Sequence, residues 1–247
     1  MINFDVISIF PEMFDILLKQ GVIARAAQQN LFKINLHQLR DFSDHTNRNI
    51  DDSSYGGGGQ VIMISPLEKA VKHCSNLNLS TSEKPFIIYM SPQGTNLKQN
   101  VIQDLSAKNH MIVICGRYEG LDQRFIEKYV DLEISVGDFV VSGGEIPAML
   151  LIDGIIRQQD GVINKESVTN DSFMNGLLDF PHYSKPNNYN GVAVPTVLSS
   201  GNHEEIRKWR LYQSLLQTYK KRPDMLRARK DFSKEELKMI LDIVRIM

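Results

Sequence analysis

The stretch SVGDFVVSGGE, residues 135–145, sets three glycines among four large apolar side chains and runs into a segment of helical spacing. It matches neither the GxGxxG fingerprint of dinucleotide-binding proteins nor the phosphate-binding P-loop. Because glycine has no side chain, a ligand or another part of the chain can come close to the backbone there. The stretch therefore predicts a wall of exposed backbone and apolar side chains at the end of a strand.

Up to about residue 160 the chain alternates short apolar runs with segments of helical spacing, which predicts an α/β sheet with crossover helices. The predicted strands are residues 4–10, 32–39, 85–91, 110–116 and 130–137. The predicted helices are residues 11–30, 65–75, 96–108, 121–130 and 145–159. Ser142 and Glu145 have the S-x-x-E spacing of a capping box, so we expect them to cap the last of these helices.

Residues 161–175 are polar and poor in core-forming side chains, which predicts an interdomain linker. This linker would separate a first domain, residues 1–160, from a second domain, residues 176–247. The second domain begins with a loop rich in Pro, Gly and Asn and ends in predicted helices at residues 203–219 and 233–246. We therefore expect a small helical domain to follow the α/β domain.

Three glycine-bearing turns follow consecutive predicted strands: residues 89–95, residues 115–122 and the stretch quoted above. Ligands of α/β folds bind in the loops at the carboxyl ends of the strands. One such turn is more often simply a tight turn, whereas three at one sheet edge favour a shared ligand. The turns contain no Walker lysine, so they predict a nucleoside with a small charged tail rather than a triphosphate. A fourth glycine cluster, residues 51–60, lies outside this set and is long enough to form a mobile flap.

The composition is that of an ordinary soluble globular protein, with 247 residues of which 42% are hydrophobic and 23% charged. No apolar run approaches the roughly 18 residues of a membrane span, and residues 1–10 predict a strand rather than a signal peptide. Two cysteines, Cys74 and Cys115, are too few for a disulfide framework or a cysteine-type zinc site. We therefore expect a cytoplasmic protein without a membrane partner.

Positive charge is concentrated near the C-terminal end of the chain. Residues 201–231 contain nine Lys and Arg against four acids, a net charge of +5, so the rest of the chain sums to −6. A basic segment on a nearly neutral protein predicts a polyanionic partner such as nucleic acid. A solvated helix face rich in Lys and Arg would give the same charge pattern.

Five strings in order across most of the chain carry a resemblance to a known family: SPQG (91–94), GRYEG (116–120), GDFVVSGGE (137–145), GLLDFPHYSKP (176–186) and LSSGNHEEIRKWR (198–210). On these strings the chain resembles the bacterial tRNA (guanine-N1)-methyltransferases, TrmD, of the SPOUT class of S-adenosylmethionine enzymes. The resemblance implies a mainly parallel sheet with flanking helices, tied in a trefoil knot, and a small helical C-terminal domain. Periodicity alone does not predict the knot, since chain connections normally avoid threading.

The chain departs from the family's usual pattern at a few positions. Ser54 stands where the family has proline, and residues 59–61 replace its Pro-Gly-Met, which predicts a looser flap. Met90 stands where leucine is common, and Lys185 where arginine is usual. None of these changes removes a residue to which the resemblance assigns chemistry.

The resemblance implies that the three turns form the knot and hold S-adenosylmethionine in a bent shape. The adenine would lie between Val136, Phe139 and Val141, while backbone N–H and C=O groups read its polar edge. The implied cofactor-binding residues are Tyr89, Met90, Ser91, Pro92, Gly94, Gly116, Tyr118, Glu119, Val136, Gly137, Asp138, Phe139, Val140, Val141, Gly143 and Gly144.

The implied reaction transfers the methyl group of S-adenosylmethionine to N1 of guanosine 37, on the 3′ side of the tRNA anticodon. Asp171 matches the family's catalytic aspartate and would accept the N1 proton as general base. Arg157 would stabilise the negative charge that develops on O6. From the residues alone, Asp171 could instead cap a helix, and Arg157 could form an i, i+4 salt bridge with Asp153. The resemblance favours catalysis.

The second predicted domain would bind the tRNA anticodon stem-loop through His182, Lys185, Arg207, Lys208 and Arg210. Residues 198–210 predict a helix N-terminus whose free N–H groups could bind phosphate. Trp209 is predicted to fill the core behind that helix rather than to stack on a base.

The family also implies a homodimer with its active site at the subunit interface. A magnesium ion could take part in the reaction, but the sequence shows no dedicated ligand set. The isolated histidines 37, 45, 73 and 110 have no metal-ligand spacing, so no metal site is predicted.

Three other functions share part of the pattern. A SPOUT enzyme acting on a ribose 2′-OH or on another base is not expected to carry a segment like residues 176–186. A non-catalytic RNA-binding module would not need Arg157, Asp171 and the cofactor turns together. A nicotinamide-dependent oxidoreductase would need a GxGxxG after the first strand and an acid about 20 residues later, a fingerprint that the sequence lacks.

Overall fold

A computed structural model describes residues 1–77 and 84–246 of the chain. The chain divides into two compact units, Met1–Asn164 and Lys165–Met247. The division falls within residues 161–175, the segment for which the sequence predicts a linker. Part of that segment, Lys165–Asn170, is helical.

The first unit is built on a parallel sheet. Its strands are β1 Ile2–Ser8, β2 Phe32–Gln38, β3 Asp51–Ser53, β4 Gln60–Ile62, β5 Phe86–Asn96, β6 His110–Cys115 and β7 Leu132–Ser135. Five of them pair in parallel in the order β2-β1-β6-β5-β7, and β3 with β4 forms a separate antiparallel hairpin. The predicted α/β class with a parallel sheet is confirmed.

The helices of the first unit flank this sheet. They are α1 Asp15–Lys19, α2 Gly21–Gln28, α3 Ile64–Leu77, α4 Gln99–Ser106, α5 Gln123–Tyr129 and α6 Glu145–Ile156. The prediction of one helix over residues 11–30 is wrong, because a 3₁₀ turn precedes α1 and an extended Gln20 separates α1 from α2. Gly21 adopts φ = 77°, a left-handed conformation that a continuous helix cannot contain.

Helices cover both faces of the sheet, which explains why the central strand β6 is buried on both of its faces. In β6, Met111 and Val113 join the core that includes the buried face of α6, whereas Ile112 and Ile114 join the core that includes α3. This strand therefore supplies alternate side chains to two separate hydrophobic cores.

β5 continues through residues that the sequence predicts to be a turn. Its register against β7 shifts between Met90 and Thr95, both of which pair with Ile134. The intervening residues 91–94 leave the ladder, so this turn is a bulge inside a strand. A Cβ added at Gly94 would overlap the backbone of Glu133 and Ile134 on β7. Glycine at position 94 is thus what allows the two strands to approach.

The second unit is mainly helical. Its elements are α7 Lys165–Asn170, β8 Asn188–Tyr189, β9 Val192–Ala193, a 3₁₀ turn Thr196–Ser199, α8 His203–Lys221, α9 Pro223–Ala228 and α10 Lys234–Ile246. Its core is small and centres on the buried side chains of Leu177, Leu215 and Ile243. Among the residues described, no helix combines the length and the apolar character needed to span a membrane.

Trp209 does not belong to the core of the second unit, so the prediction that it fills that core is wrong. The indole is half-buried, and its ring centroid lies 6.2 Å from that of Tyr183. The reason is its position on α8, which turns the indole towards the loop that carries Tyr183.

The close approach of β5 and β7 at Gly94 predicts a large cost for any side chain there. Gly94→Ala should lower the free energy of unfolding by about 1–3 kcal/mol, because the clash is with backbone that cannot rotate away. Urea denaturation followed by circular dichroism measures this change.

Gly154→Ala is the matched control, because the atom nearest to its new Cβ is the flexible tip of Ile102 and alanine is favoured within α6. Equal losses of stability in the two variants would contradict the assigned role of Gly94.

Candidate functional site

A cleft, partly open to solvent, lies at the carboxyl ends of β6 and β7 and beside the bulge of β5. This edge of the sheet is where parallel α/β folds bind ligands. The three turns that follow these strand segments, residues 89–95, 115–122 and 135–145, form its walls. We call these three turns together the glycine clasp.

The structure brings all but three of the predicted cofactor-binding residues to the lining of this cleft. Those present are Tyr89, Met90, Ser91, Pro92, Gly116, Tyr118, Glu119, Val136, Phe139, Val140, Val141, Gly143 and Gly144. Gly94, Gly137 and Asp138 are not part of the lining. Gly94 instead packs on β7, and Gly137 lies under the ring of Phe139, which a Cβ would approach to 2.7 Å.

Six further residues line the cleft but were not predicted from the sequence: Arg117, Gly120, Ile134, Ser135, Ser142 and Pro147. Four of them lie inside or directly beside the glycine-rich strings, so their position in the chain is the signal that could have found them. Ile134 and Pro147 belong to the flanking strand and helix.

The second and third turns of the glycine clasp meet backbone to backbone. The N–H of Gly144 donates to the carbonyl of Gly116 at 2.8 Å. A Cβ at Gly144 would lie 2.7 Å from the nitrogen of Gly116, so only glycine permits this contact. Main-chain contact therefore supplies part of what holds these two turns together.

The first turn joins the clasp through Tyr89. A Cβ at Gly116 would lie 2.7 Å from the ring of Tyr89, which is buried. Burial, together with the negative charge of Glu133, raises the pKa of Tyr89 to about 12. The phenol is consequently neutral near pH 7 and acts as a polar but uncharged wall.

Apolar side chains of the third turn stand open to solvent. Phe139 is 58% exposed and Val140 is 84% exposed. Consecutive large apolar residues on a surface turn usually mark a place that a ligand or another protein surface covers. Together with the exposed backbone of the clasp, they suit an aromatic, largely neutral group such as a purine.

A buried ion pair fastens the third turn to the second. The Nε of Arg117 donates to Oε2 of Glu145 at 3.0 Å. The Nη1 of Arg117 donates to the carbonyl of Ser142, also at 3.0 Å. The carboxylate of Glu145 is fully buried and also accepts from the hydroxyl of Ser8, at 2.7 Å. The guanidinium of Arg117 further lies 4.8 Å from the ring centroid of Phe10.

The prediction of a capping box formed by Ser142 and Glu145 is wrong. The residue that precedes α6 is Gly144, and no side chain caps the helix. Glu145 does not reach back towards Ser142, because its carboxylate points into the first unit and pairs with Arg117 and Ser8. The S-x-x-E spacing is present, but Glu145 pairs with the guanidinium of Arg117 instead of with the backbone of Ser142.

The glycine hairpin between β3 and β4 is tied to the second turn of the clasp at its base. The N–H of Glu119 donates to the carbonyl of Gln60 at 3.0 Å, and the N–H of Ile62 donates to that of Gly120 at 2.9 Å. A Cβ at Gly59 would lie 2.6 Å from a carboxylate oxygen of Glu119. The hairpin, predicted to lie outside the set of turns, thus borders the cleft-lining residue Glu119.

In the second unit, Arg207 and Arg210 line a cleft that is open to solvent. Arg210 stacks over Phe180, with the guanidinium carbon 4.8 Å from the ring centroid. The imidazole of His182 also contacts Phe180 and pairs with Asp179 at 2.8 Å. Lys185 and Lys208 are exposed, and Lys208 lies 3.4 Å from Glu204.

The predicted phosphate site at the N-terminus of α8 is wrong in its detail. The side chain of Asn202 accepts hydrogen bonds from the N–H groups of Glu204 and Glu205, so these donors are already satisfied. The same two glutamates place negative charge in the first turn. Arg207 pairs with Glu204 and with Glu235, each at 2.9 Å. Two of the N–H groups predicted to bind phosphate are therefore already used in capping the helix.

The two predicted catalytic residues belong to different units. Arg157 follows the last residue of α6 in the first unit, and Asp171 follows α7 in the second unit. Both side chains are half-buried.

The ion pair between Arg117 and Glu145 predicts a strong effect of removing either partner. Glu145→Ala should lower the free energy of unfolding by about 3–5 kcal/mol, because it leaves a largely buried guanidinium without its carboxylate. Glu68→Ala is the control: its carboxylate pairs with Lys128 at a more exposed position, where a loss of about 1 kcal/mol or less is expected. Chemical denaturation of both variants tests the difference, and comparable losses would contradict it.

Comparison with known proteins identifies the family of the chain. The model of the family described as tRNA (Guanine-1)-methyltransferase TrmD matches residues 2–228. A tRNA (guanine-N(1)-)-methyltransferase of Buchnera aphidicola subsp. Baizongia pistaciae is 49% identical over 225 residues, covering 90% of this chain and 89% of that protein. An enzyme of the same name from Herminiimonas arsenicoxydans is 48% identical, and the match covers 91% of this chain and 92% of that protein. Another from Dechloromonas aromatica is 46% identical, and the match covers 98% of this chain and 97% of that protein.

The family model spans nearly the whole chain, and the relatives align over both units at close to half identity. The residues that line the cleft lie within the matched region. The chain belongs to the TrmD family of tRNA (guanine-1)-methyltransferases.

Proposed function

We propose that this enzyme transfers a methyl group from S-adenosylmethionine to N1 of guanosine 37, on the 3′ side of the tRNA anticodon. The observation that carries the proposal is the glycine clasp, which opens a cleft at three adjacent carboxyl ends of the sheet in a chain of this family. Its backbone and apolar walls fit a nucleoside without a phosphate tail. We also propose that the clasp is part of a trefoil knot.

The residues present in the cleft fit S-adenosylmethionine. Val136, Phe139 and Val141 offer apolar surface for the adenine, and the backbone around Gly116 and Gly144 is bare enough to read its polar edge. The remaining lining residues named above would enclose the ribose and the methionine part. When bound, this cofactor supplies the methyl group as a sulfonium substituent.

Asp171 is assigned as the general base. N1 of guanine carries a proton and its lone pair is shared with the ring, so methylation there requires that the proton be removed. A carboxylate of ordinary pKa, about 3.9, is a weak base for this task. Stabilising the negative charge that spreads onto O6 makes the proton easier to remove, and this role is assigned to Arg157. The carboxylate of Asp171 would accept the N1 proton, while the bond between the methyl group and the sulfonium sulfur would break and leave a neutral thioether.

A homodimer would bring these parts together. The cofactor cleft and Arg157 lie in the first unit, whereas Asp171 lies in the second unit. We infer that the first unit of one subunit faces the second unit of its partner. Ile146 and Leu150, one turn apart on α6, are about half exposed and offer apolar surface for such an interface.

Binding of the tRNA anticodon stem-loop is assigned to the second unit. Arg207, Lys208 and Arg210 would contact backbone phosphates, with His182 and Lys185 on the adjoining loop. The surface pairs that Arg207 and Lys208 make with glutamates are weak enough to exchange for phosphate. Both cysteines are free and buried. This accords with a reducing cytoplasm, the compartment that we assign to the enzyme.

The assignment of Asp171 and Arg157 predicts a loss of chemistry without a loss of binding. Asp171→Asn should slow single-turnover methyl transfer by roughly 10²–10⁴-fold, because the proton acceptor is gone. Arg157→Ala should slow it by roughly 10²–10³-fold, because the charge on O6 is no longer stabilised. Labelled S-adenosylmethionine and an unmodified tRNA transcript provide the assay.

Asp224→Asn serves as the matched control, since Asp224 is an exposed acid of the same unit that pairs with Arg222. Nuclease mapping of the labelled transcript should place the methyl group on guanosine 37, and a transcript with adenosine at this position should remain unlabelled. Unchanged transfer by Asp171→Asn would remove the base assignment, and label on a ribose or on another nucleotide would remove the proposed reaction.

The phosphate-binding role of Arg207 predicts a change in the salt dependence of tRNA binding. Arg207→Ala should weaken tRNA binding and lower the slope of log K against log salt concentration by about one. Lys19→Ala, which removes a paired surface cation from the first unit, is the control. An unchanged slope in Arg207→Ala would show that this side chain does not contact phosphate.

A further inference from the structure

A second cluster of polar side chains lies beneath the sheet, on the face covered by α3. Its members are Asp5 of β1, His37 of β2, Cys74 of α3 and His110 of β6. Asp5 and Cys74 are fully buried, and the side chain of His37 is only 10% exposed. None of the four lines the cofactor cleft, so the proposed methyl transfer leaves this cluster without a function.

The cluster converges on the carboxylate of Asp5. One oxygen of Asp5, a ring nitrogen of His37 and the sulfur of Cys74 all lie within 4.8 Å of one another. Nε2 of His37 lies 2.7 Å from Oδ1 of Asp5, and Nε2 of His110 lies 2.7 Å from Oδ2. The amide of Asn35 also donates to Oδ1, at 2.9 Å. Both carboxylate oxygens are thus held in place.

The charge of this cluster is unusual for a protein core. Hydrogen bonds to both oxygens favour the ionised carboxylate of Asp5. Its described partners are two imidazoles and an amide, none of which carries a permanent positive charge. A buried anion is costly unless it is paired with a cation or coordinates a metal.

We propose that Asp5, His37 and Cys74 form a binding site for a divalent transition metal, with Zn²⁺ as its preferred ion. Cysteine sulfur, histidine nitrogen and aspartate oxygen are the ligand types that zinc takes in proteins, and three protein ligands suffice for an open site. His110 supports the site, because it holds the second oxygen of the ligating carboxylate.

Only small movements are needed to admit the ion. Zinc bonds to nitrogen and oxygen are about 2.0–2.2 Å long, so two ligand atoms in a tetrahedral site lie roughly 3.3–3.5 Å apart. The contact between His37 and Asp5 must therefore open by less than about 1 Å. The sulfur of Cys74, which lies within 4.8 Å of the other two ligand atoms, must approach them by up to about 1 Å. The ion replaces the hydrogen bond between His37 and Asp5, while the bond from His110 is kept.

A catalytic role for Cys74 fits the structure less well. A cysteine, a histidine and an aspartate also make up the nucleophile, base and orienting acid of some hydrolases. Cys74 is fully buried. A fully buried thiol cannot reach a substrate, whereas a metal can stabilise its thiolate in place.

Titration with Co²⁺, a spectroscopic substitute for Zn²⁺, tests the site. The titration uses the full-length, untagged protein from which a chelator has removed any metal. One equivalent should produce a thiolate-to-cobalt charge-transfer absorption that Zn²⁺ abolishes by displacement. Cys115→Ser should retain this absorption, because Cys74 is then the only thiol in the chain. Cys74→Ser should lose it.

Affinity measurements test the proposed ligand His37 and the residue that orients Asp5, His110. His37→Gln should weaken Zn²⁺ binding by at least tenfold, and His110→Gln by roughly 10–100-fold, as for other residues that orient a metal ligand. Absence of the absorption in the folded Cys115→Ser protein would overturn the proposal, whether or not Cys74→Ser folds. Zinc binding that is unaffected by His37→Gln would overturn it as well.

Discussion

The candidate site depends on a direct contact between two stretches of main chain. The N–H of Gly144 reaches the carbonyl of Gly116, and the space between them has no room for a side chain. The contact closes the second and third turns into one wall at the ends of β6 and β7. A pocket built in this way presents peptide groups in fixed positions, so it can recognise a purine edge without a charged side chain.

The ion pair of Arg117 and Glu145 supports that contact from behind. Arg117 comes from the turn after β6, whereas Glu145 and the carbonyl of Ser142 belong to the turn that begins α6. Because the pair is largely buried, its loss leaves a charge without a partner, and the two turns lose their alignment. The stability of the first unit and the shape of the cleft thus depend on the same bonds.

Apolar runs and glycine-rich turns are local signals, and they predicted the α/β class and a ligand site at one edge of the sheet. The family resemblance supplied the mainly parallel sheet and the individual residues of the cleft lining. The predictions failed where distant residues compete. The S-x-x-E spacing predicted a capping box, but Glu145 pairs with Arg117, which is far away in sequence. Residues 91–94 resemble a turn, yet they form a bulge within β5 whose flanking residues pair with β7. The cluster at Asp5 has no sequence spacing at all, since its members come from three strands and a helix.

Calorimetric titration of the folded protein with S-adenosylhomocysteine, the demethylated form of the cofactor, tests whether the glycine clasp binds the methyl donor. We expect saturable binding that Gly144→Ala abolishes, because the new Cβ displaces the backbone of Gly116, and that Gly154→Ala leaves intact. Absence of binding by the folded wild-type protein, or equal binding by Gly144→Ala, would contradict the claim that the glycine clasp holds the methyl donor.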